Sequence, residues 1–226
     1  FKFFKRHRQL SSRDVDAKLA SFGHADTAHS GLNSGKVSPV QDLSFRLSPE
    51  KYRARIADIQ AEIRAGNTYQ VNFTGQVDFK YSGSPWEVYC DLREQQRVEY
   101  SAFLPFEDYH VLSFSPELFF RKTGSALLVK PMKGTIGRGA TPEDDARRAA
   151  FLAQDAKNRA ENVMIVDLLR NDLGRFAQTG SVNVDQLCEI EAYETLYQMT
   201  SSISAQCDPN ISFADLMTHL FPCGSI

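Results

Sequence analysis

Apolar residues change their period several times along this chain, and each change marks a new element. From Ser48 the pattern is helical. Tyr52, Ile56, Ile59 and Ile63 fall on one face, Ser48 is a capping residue, Pro49 suits a first turn, and Gly66 ends the run. The period then drops to two. In residues 68–79, TYQVNFTGQVDF, Tyr69, Val71, Phe73, Val77 and Phe79 alternate with Gln70, Asn72, Thr74, Gln76 and Asp78. This predicts a strand with one core face and one polar face that is uncharged up to Asp78. Pro85–Gln95 reads as a short helix carrying Trp86, Val88, Tyr89 and Leu92. Three short strands are predicted next, Glu99–Leu104, Tyr109–Phe114 and Glu117–Lys122. Ala126–Gly139, ALLVKPMKGTIGRG, begins as an apolar strand and ends in a tight, glycine-rich turn. Thr141-Pro142-Glu143-Asp144 is a strong helix start, and the helical pattern runs on through Asp172 with room for one break. Ser181–Leu187 and Tyr193–Ala205 read as strands, and Ser212–Phe221 as a short helix with Phe213, Leu216, Met217 and Leu220 inward. Strands in runs, punctuated by helices that do not alternate with them one for one, predict an α+β fold.

Composition narrows the partners more than the fold. The 226 residues are 42% hydrophobic and 24% charged with a net charge of −2, which gives no reason to expect nucleic acid or a membrane surface. No apolar run approaches the roughly 20 residues of a membrane span. Cys90, Cys188, Cys207 and Cys223 are scattered without a CxxC pair, so neither a zinc site nor a disulfide framework is signalled, and a reducing, cytoplasmic setting is the default. Residues 1–47 carry a basic, aromatic FKFFKRHR and a stretch over 23–42 rich in Gly, Ser, His and Asn that reads as a linker. The chain starts at Phe1 and stops at FPCGSI, inside a new glycine turn, and is expected to be a fragment of a longer protein.

Three side chains stand out chemically. Lys133 sits at the mouth of an apolar strand, where an amine stripped of water on one side becomes a nucleophile. Gly134 beside it allows close approach of backbone or ligand, and Thr135 adds a hydroxyl. Taken alone, Lys133 reads equally as a solvated lysine on a turn. Glu117 follows Ser115-Pro116 and opens the apolar Leu118-Phe119-Phe120, a setting that suits a general acid or, more simply, a strand-edge carboxylate in water. Glu161 shares a helical stripe with Met164, Ile165 and Leu168. A carboxylate on a buried stripe needs a cation beside it, either Lys or Arg or a metal.

Five blocks in order then resemble the chorismate-utilising enzymes, the large chains of anthranilate, aminodeoxychorismate and isochorismate synthases. They are IRAGNTYQVNF, SFSPELF, PMKGT, DAKNRAENVMIVDLLRNDLGR and FPCGS, covering the chain from about Ser48 onward. The resemblance implies a large α+β domain of two packed, mainly antiparallel sheets flanked by helices, here incomplete, with chorismate and a magnesium ion between the sheets. It makes 48–226 a catalytic domain truncated at its carboxy-terminal end, and 1–47 the remnant of an amino-terminal region. By the same resemblance Glu161 is a magnesium ligand, Glu117 protonates the departing 4-hydroxyl of chorismate, and Gly134 and Thr135 contact substrate. Gln70 stands where isochorismate synthases carry the lysine that activates water, so isochorismate formation is not expected. Lys133 stands where anthranilate synthases usually carry alanine, and resembles the nucleophile proposed for component I of aminodeoxychorismate synthase. The implied reaction is amination of chorismate at C4, with ammonia from a glutamine amidotransferase partner or domain, toward 4-aminobenzoate and folate. Anthranilate formation and a non-catalytic chorismate-binding role are the alternatives, and the fragment is not expected to turn over chorismate unaided.

Overall fold

The computed structural model describes residues 40–224. Two compact units meet in sequence between Phe114 and Ser115. Among the described residues no helix is long and apolar enough to cross a membrane, and all four cysteines are unpaired.

In the first unit, strand β1 (Gln41–Phe45) pairs antiparallel with β2 (Val77–Lys80), in a register that ends at Phe45 opposite Val77. Arg46 grips Asp78 with two hydrogen bonds of 2.6 and 2.8 Å just past that end. Helix α1 (Pro49–Arg64) starts where Ser48 Oγ accepts the Lys51 amide, as its sequence predicts. Its apolar face is only half covered, with Ile56 and Ile59 partly buried and Ile63 exposed.

The strand predicted over residues 68–79 forms only at its end, in β2. Alternation specifies two faces, but a strand also needs a partner for its backbone groups. β1 is five residues long and its ladder reaches no further back than Val77. The Phe45 ring fills the space beside Gly75 where a Cβ would stand, and the Thr68 hydroxyl turns back to the Gln70 carbonyl at 3.0 Å. Tyr69 and Val71, assigned to a core face by alternation, are exposed.

Helix α2 (Pro85–Gln95) opens with a capping box between Ser84 and Glu87. It lays Trp86 edge-on to Phe103 at 5.0 Å and stacks Tyr89 on Phe114 at 5.4 Å. Those phenylalanines come from β3 (Tyr100–Pro105) and β4 (His110–Ser115), which pair with each other.

The second unit is built on one antiparallel sheet with β9 (Leu196–Gln206) at its centre. On one side β9 pairs with β8 (Asn183–Ala192). On the other it pairs successively with β6 (Ala126–Lys130) and β7 (Met132–Gly137), and β5 (Leu118–Thr123) flanks β6. Helices α3 (Pro142–Gln154) and α4 (Ala156–Gly174) are separated at Asp155, whose carboxylate accepts the Asn158 amide at 2.9 Å and so caps the second helix. Leu127 and Val129 of β6 and Ile203 and Ala205 of β9 bury themselves against Ile165, Val166, Leu169 and Leu173 of α4. Leu216 and Leu220 of α5 (Phe213–Leu220) complete this core. Each such side chain contributes about 1.5–3 kcal/mol on leaving water. Phe213, expected inward, is 43% exposed because it is the first helical residue, and only the next turn reaches the core.

A candidate ligand site on the bulged strand

The stretch predicted to be a strand followed by a glycine-rich turn is one long, interrupted strand. Pro131 separates β6 from β7, yet its carbonyl still accepts the Ser201 amide at 3.1 Å, so the ladder to β9 continues through it. Met132 lies opposite Thr200 and Thr135 opposite Gln198. Three steps on β7 therefore match two on β9, which leaves one extra residue at Lys133-Gly134, a β-bulge. The glycine is there for two reasons. Its φ is +94°, and an added Cβ would stand 3.0 Å from Cβ of Asn158 on α4. The bulge lets the first turn of α4 rest on the backbone beside Lys133, a half-buried residue.

Glu117 reaches the same place from the neighbouring strand. It lies one residue before β5, where its amide donates to Ser115 Oγ at 3.2 Å. Its Oε1 accepts the Met132 amide at 3.3 Å, so the carboxylate touches the residue next to Lys133. Thr135 donates its hydroxyl to Gln198 Oε1 at 2.7 Å. Glu117, Lys133, Gly134 and Thr135 are thus gathered on three adjacent strands around one bulge.

Glu161 belongs to the helix that covers Gly134, one turn beyond Asn158, but it is not on the buried stripe itself. Its side chain is 34% exposed and lies 3.8 Å from Lys157 Nζ. The buried stripe runs through Asn162, Ile165, Val166, Leu169 and Leu173. Spacing alone leaves a stripe's azimuth uncertain by one residue, and the assignment to Glu161 was one position off. Asn162 is the polar residue the helix buries. Its spacing of 3, 4, 7 and 11 from Ile165, Val166, Leu169 and Leu173 was the available signal.

Among the described residues no group of three His, Cys, Asp or Glu side chains comes together that could hold a metal. The described residues offer one carboxylate, Glu161, and do not by themselves close a magnesium site. Gln70 lies in the first unit, where its Nε2 donates to Asn72 Oδ1 at 3.5 Å. Its Oε1 is buried with no hydrogen-bond partner among the described residues.

A clasp that periodicity did not reveal fixes the far end of β7. Arg138 holds Asp145 with bonds of 2.8 and 2.5 Å, and the same carboxylate receives the Tyr197 hydroxyl at 2.7 Å and the Gly139 amide at 2.8 Å. The guanidinium also lies 4.6 Å from the centre of the Tyr197 ring. The hydrogen bonds from Arg138, then that from Tyr197, hold the Asp145 carboxyl well below the usual carboxylate range. The same carboxylate pushes the Tyr197 hydroxyl up.

The sequence profile of the family described as chorismate binding enzyme matches residues 3–226. The chain is 36% identical to aminodeoxychorismate synthase component 1 of Escherichia coli over 223 residues, 96% of this chain and 47% of that protein. It is 39% identical to the component 1 protein of Klebsiella aerogenes over 80% of this chain and 40% of that one. Among solved structures it resembles anthranilate synthase component I from Streptococcus pneumoniae, with a TM-score of 0.76 and 25% identity over 95% of this chain and 48% of that one. The α+β fold with antiparallel sheets is that protein's fold. The chain spans about half the length of the curated relatives it matches first, 47% and 40%. A profile covering nearly the whole chain places it without ambiguity: the chain belongs to the chorismate binding enzyme family.

Proposed function

We propose that this chain carries chemistry for amination of chorismate at C4, giving 4-amino-4-deoxychorismate on the path to 4-aminobenzoate and folate. The observation that carries the reading is the convergence of Glu117 on the bulge of Lys133, through the 3.3 Å bond to the Met132 amide. An acid and an amine are thereby placed at one strand junction. The names of the most similar relatives point to the same reaction.

In this reading the Lys133 amine forms a bond to C2 of chorismate, the ring double bond shifts, and the C4–O bond breaks. Glu117 gives its proton to the departing oxygen, which leaves as water. Ammonia then bonds to C4, the double bond shifts back, and the C2–N bond to Lys133 breaks with the amine recovering its proton. Gly134 allows the substrate to approach the backbone, Thr135 and Gln70 bind it, and Gln70, an amide, does not activate water as a base. A magnesium ion, when bound, neutralises substrate carboxylate charge. Glu161 would be one of its ligands, with the others outside the described residues. Ammonia would come from a glutamine amidotransferase subunit or fused domain. Cytoplasmic residence fits four unpaired cysteines, and 48–226 would be the catalytic domain.

Product analysis of the full-length protein with chorismate, magnesium and ammonia tests this. A product of the mass of aminodeoxychorismate is expected. Fluorescent anthranilate with release of pyruvate would instead establish the second reading, which the likeness to anthranilate synthase component I favours.

A further inference from the structure

A row of side chains crosses three strands beside the bulge. Thr135 on β7 is opposite Gln198 on β9, and Gln198 is opposite Glu191 on β8. Glu191 is itself held: Lys130 Nζ lies 2.5 Å from its Oε1, and the Tyr193 hydroxyl donates to its Oε2 at 3.2 Å. Glu191 is an acceptor-only carboxylate on one flank of the Gln198 amide. The electrostatically favoured orientation turns the NH2 of Gln198 toward Glu191 and its oxygen toward Thr135. The 2.7 Å contact from Thr135 Oγ1 to Gln198 Oε1 has that sense. A threonine hydroxyl has one proton and two lone pairs. With the proton directed to Gln198, only the lone pairs remain for a ligand.

We propose that Gln198 is a positioning and specificity residue: it holds the Thr135 hydroxyl as an acceptor, so that this position selects a hydrogen-bond donor on the ligand, a hydroxyl or an amine, and disfavours a carboxylate oxygen. The Lys130–Glu191 pair sets the sense of the amide. The inference rests on the reading that Thr135 contacts chorismate, whose C4 hydroxyl is such a donor and whose two carboxylates are not. Thr135 follows Lys133 by two residues, so the selected donor lies close to the proposed nucleophile.

Calorimetric binding of chorismate to the full-length protein tests the proposal in a double-substitution cycle. Gln198→Met keeps length and removes the acceptor, and Thr135→Val removes the hydroxyl. With Thr135 present, Gln198→Met is expected to weaken binding several-fold to about tenfold, the worth of one hydrogen bond. In the Thr135→Val background the same substitution should change binding less than twofold, because its effect travels through the hydroxyl. Gln198→Glu keeps an acceptor for Thr135 and should weaken binding less than Gln198→Met. Equal effects of Gln198→Met in both backgrounds, or none in either, would overturn the proposal while leaving chorismate binding intact. Thermal melts of each variant separate loss of fold from loss of affinity. Failure of the wild type to bind chorismate would overturn the functional reading and this inference with it.

Discussion

Asn162, in the middle of α4, accepts the hydroxyl proton of Ser201 on β9 with its side-chain oxygen. Ser201 Oγ in turn accepts the Cys188 amide at 3.0 Å. That amide is available because β8 bulges there: three steps from Gln186 to Glu189 match two from Ser202 to Thr200 on β9, and Cys188 has a φ of +58°. Asn162 has no exposed surface and its Nδ2 lies 3.5 Å from the Met199 carbonyl. One buried amide therefore bolts the helix to two strands, in the turn that follows Asn158 and its contact with Gly134.

Ser201→Ala should be destabilising beyond the size of the atom removed. It leaves both the Cys188 N–H and one Asn162 acceptor without their partner in a dry interior. Chemical denaturation should show a loss of about 1–3 kcal/mol. Ser204→Ala is the control, since the Ser204 hydroxyl meets Asp185 in an exposed pair at 3.0 Å. A loss no greater than that of the control would show that the buried node is not a fastening.

Gly134→Ala tests the bulge. An alanine there must adopt a φ near +94° and push Asn158 away from a 3.0 Å approach. The conformational cost is roughly 1–2 kcal/mol before any clash. Gly137 has nothing within 4 Å of an added Cβ and no positive φ. Gly137→Ala should therefore be nearly neutral, while Gly134→Ala should lower both the melting temperature and chorismate affinity. Equal melting temperatures for the two variants would contradict the assigned close approach.

The Asp145 clasp gives a signed pH dependence. Its carboxyl is held below the ordinary value of about 3.9, chiefly by Arg138 and then by Tyr197. The charged form is therefore favoured more in the folded chain than in the unfolded one. Its stabilising contribution is complete above the unfolded value and is lost as pH falls toward the depressed folded value. The stability difference between wild type and Asp145→Asn should be constant from about pH 5 to pH 7 and should shrink below about pH 4. Denaturation midpoints across that range measure it, and a difference that grew in acid would reverse the assigned sign.

What was legible in the sequence, and what was not, divides along one physical line. Helix starts were readable because a cap is local: Ser48, Ser84, Thr141 and Ser212 each accept an amide two or three residues on. The apolar identity of β6 and β9 was readable because both bury one face against helices. The bulge at Lys133-Gly134 was not, because it is a mismatch of register with β9, some 65 residues away, and a glycine signals only that something there is tight. Residues 68–76 misled for the same reason: alternation was present, but no partner strand extended to meet it. Asn162 was passed over in favour of its neighbour, since a helical stripe is wide enough to leave the azimuth one residue uncertain. The Arg138–Asp145–Tyr197 clasp spans a turn, a helix and a strand, and no periodicity encodes such a meeting.

The role of Lys133 is the most exposed part of the functional reading. Its position at the bulge, next to the amide that Glu117 holds, suits both a nucleophile and a fixed positive charge beside a dianionic substrate. Arginine keeps the charge but stays protonated at any working pH, so it cannot form a bond to carbon. Alanine loses charge and amine together. If the covalent route operates, Lys133→Arg in the full-length protein should be at least as impaired as Lys133→Ala in aminodeoxychorismate formation. Arginine is also bulkier than lysine, so a dead Lys133→Arg enzyme has a steric explanation as well as a chemical one. A second observation is therefore required. With chorismate supplied and ammonia withheld, the wild-type peptide containing Lys133 should gain the mass of chorismate less water, and the Lys133→Ala peptide should not. Near-normal turnover by Lys133→Arg, together with an unmodified wild-type peptide, would reduce Lys133 to an electrostatic role.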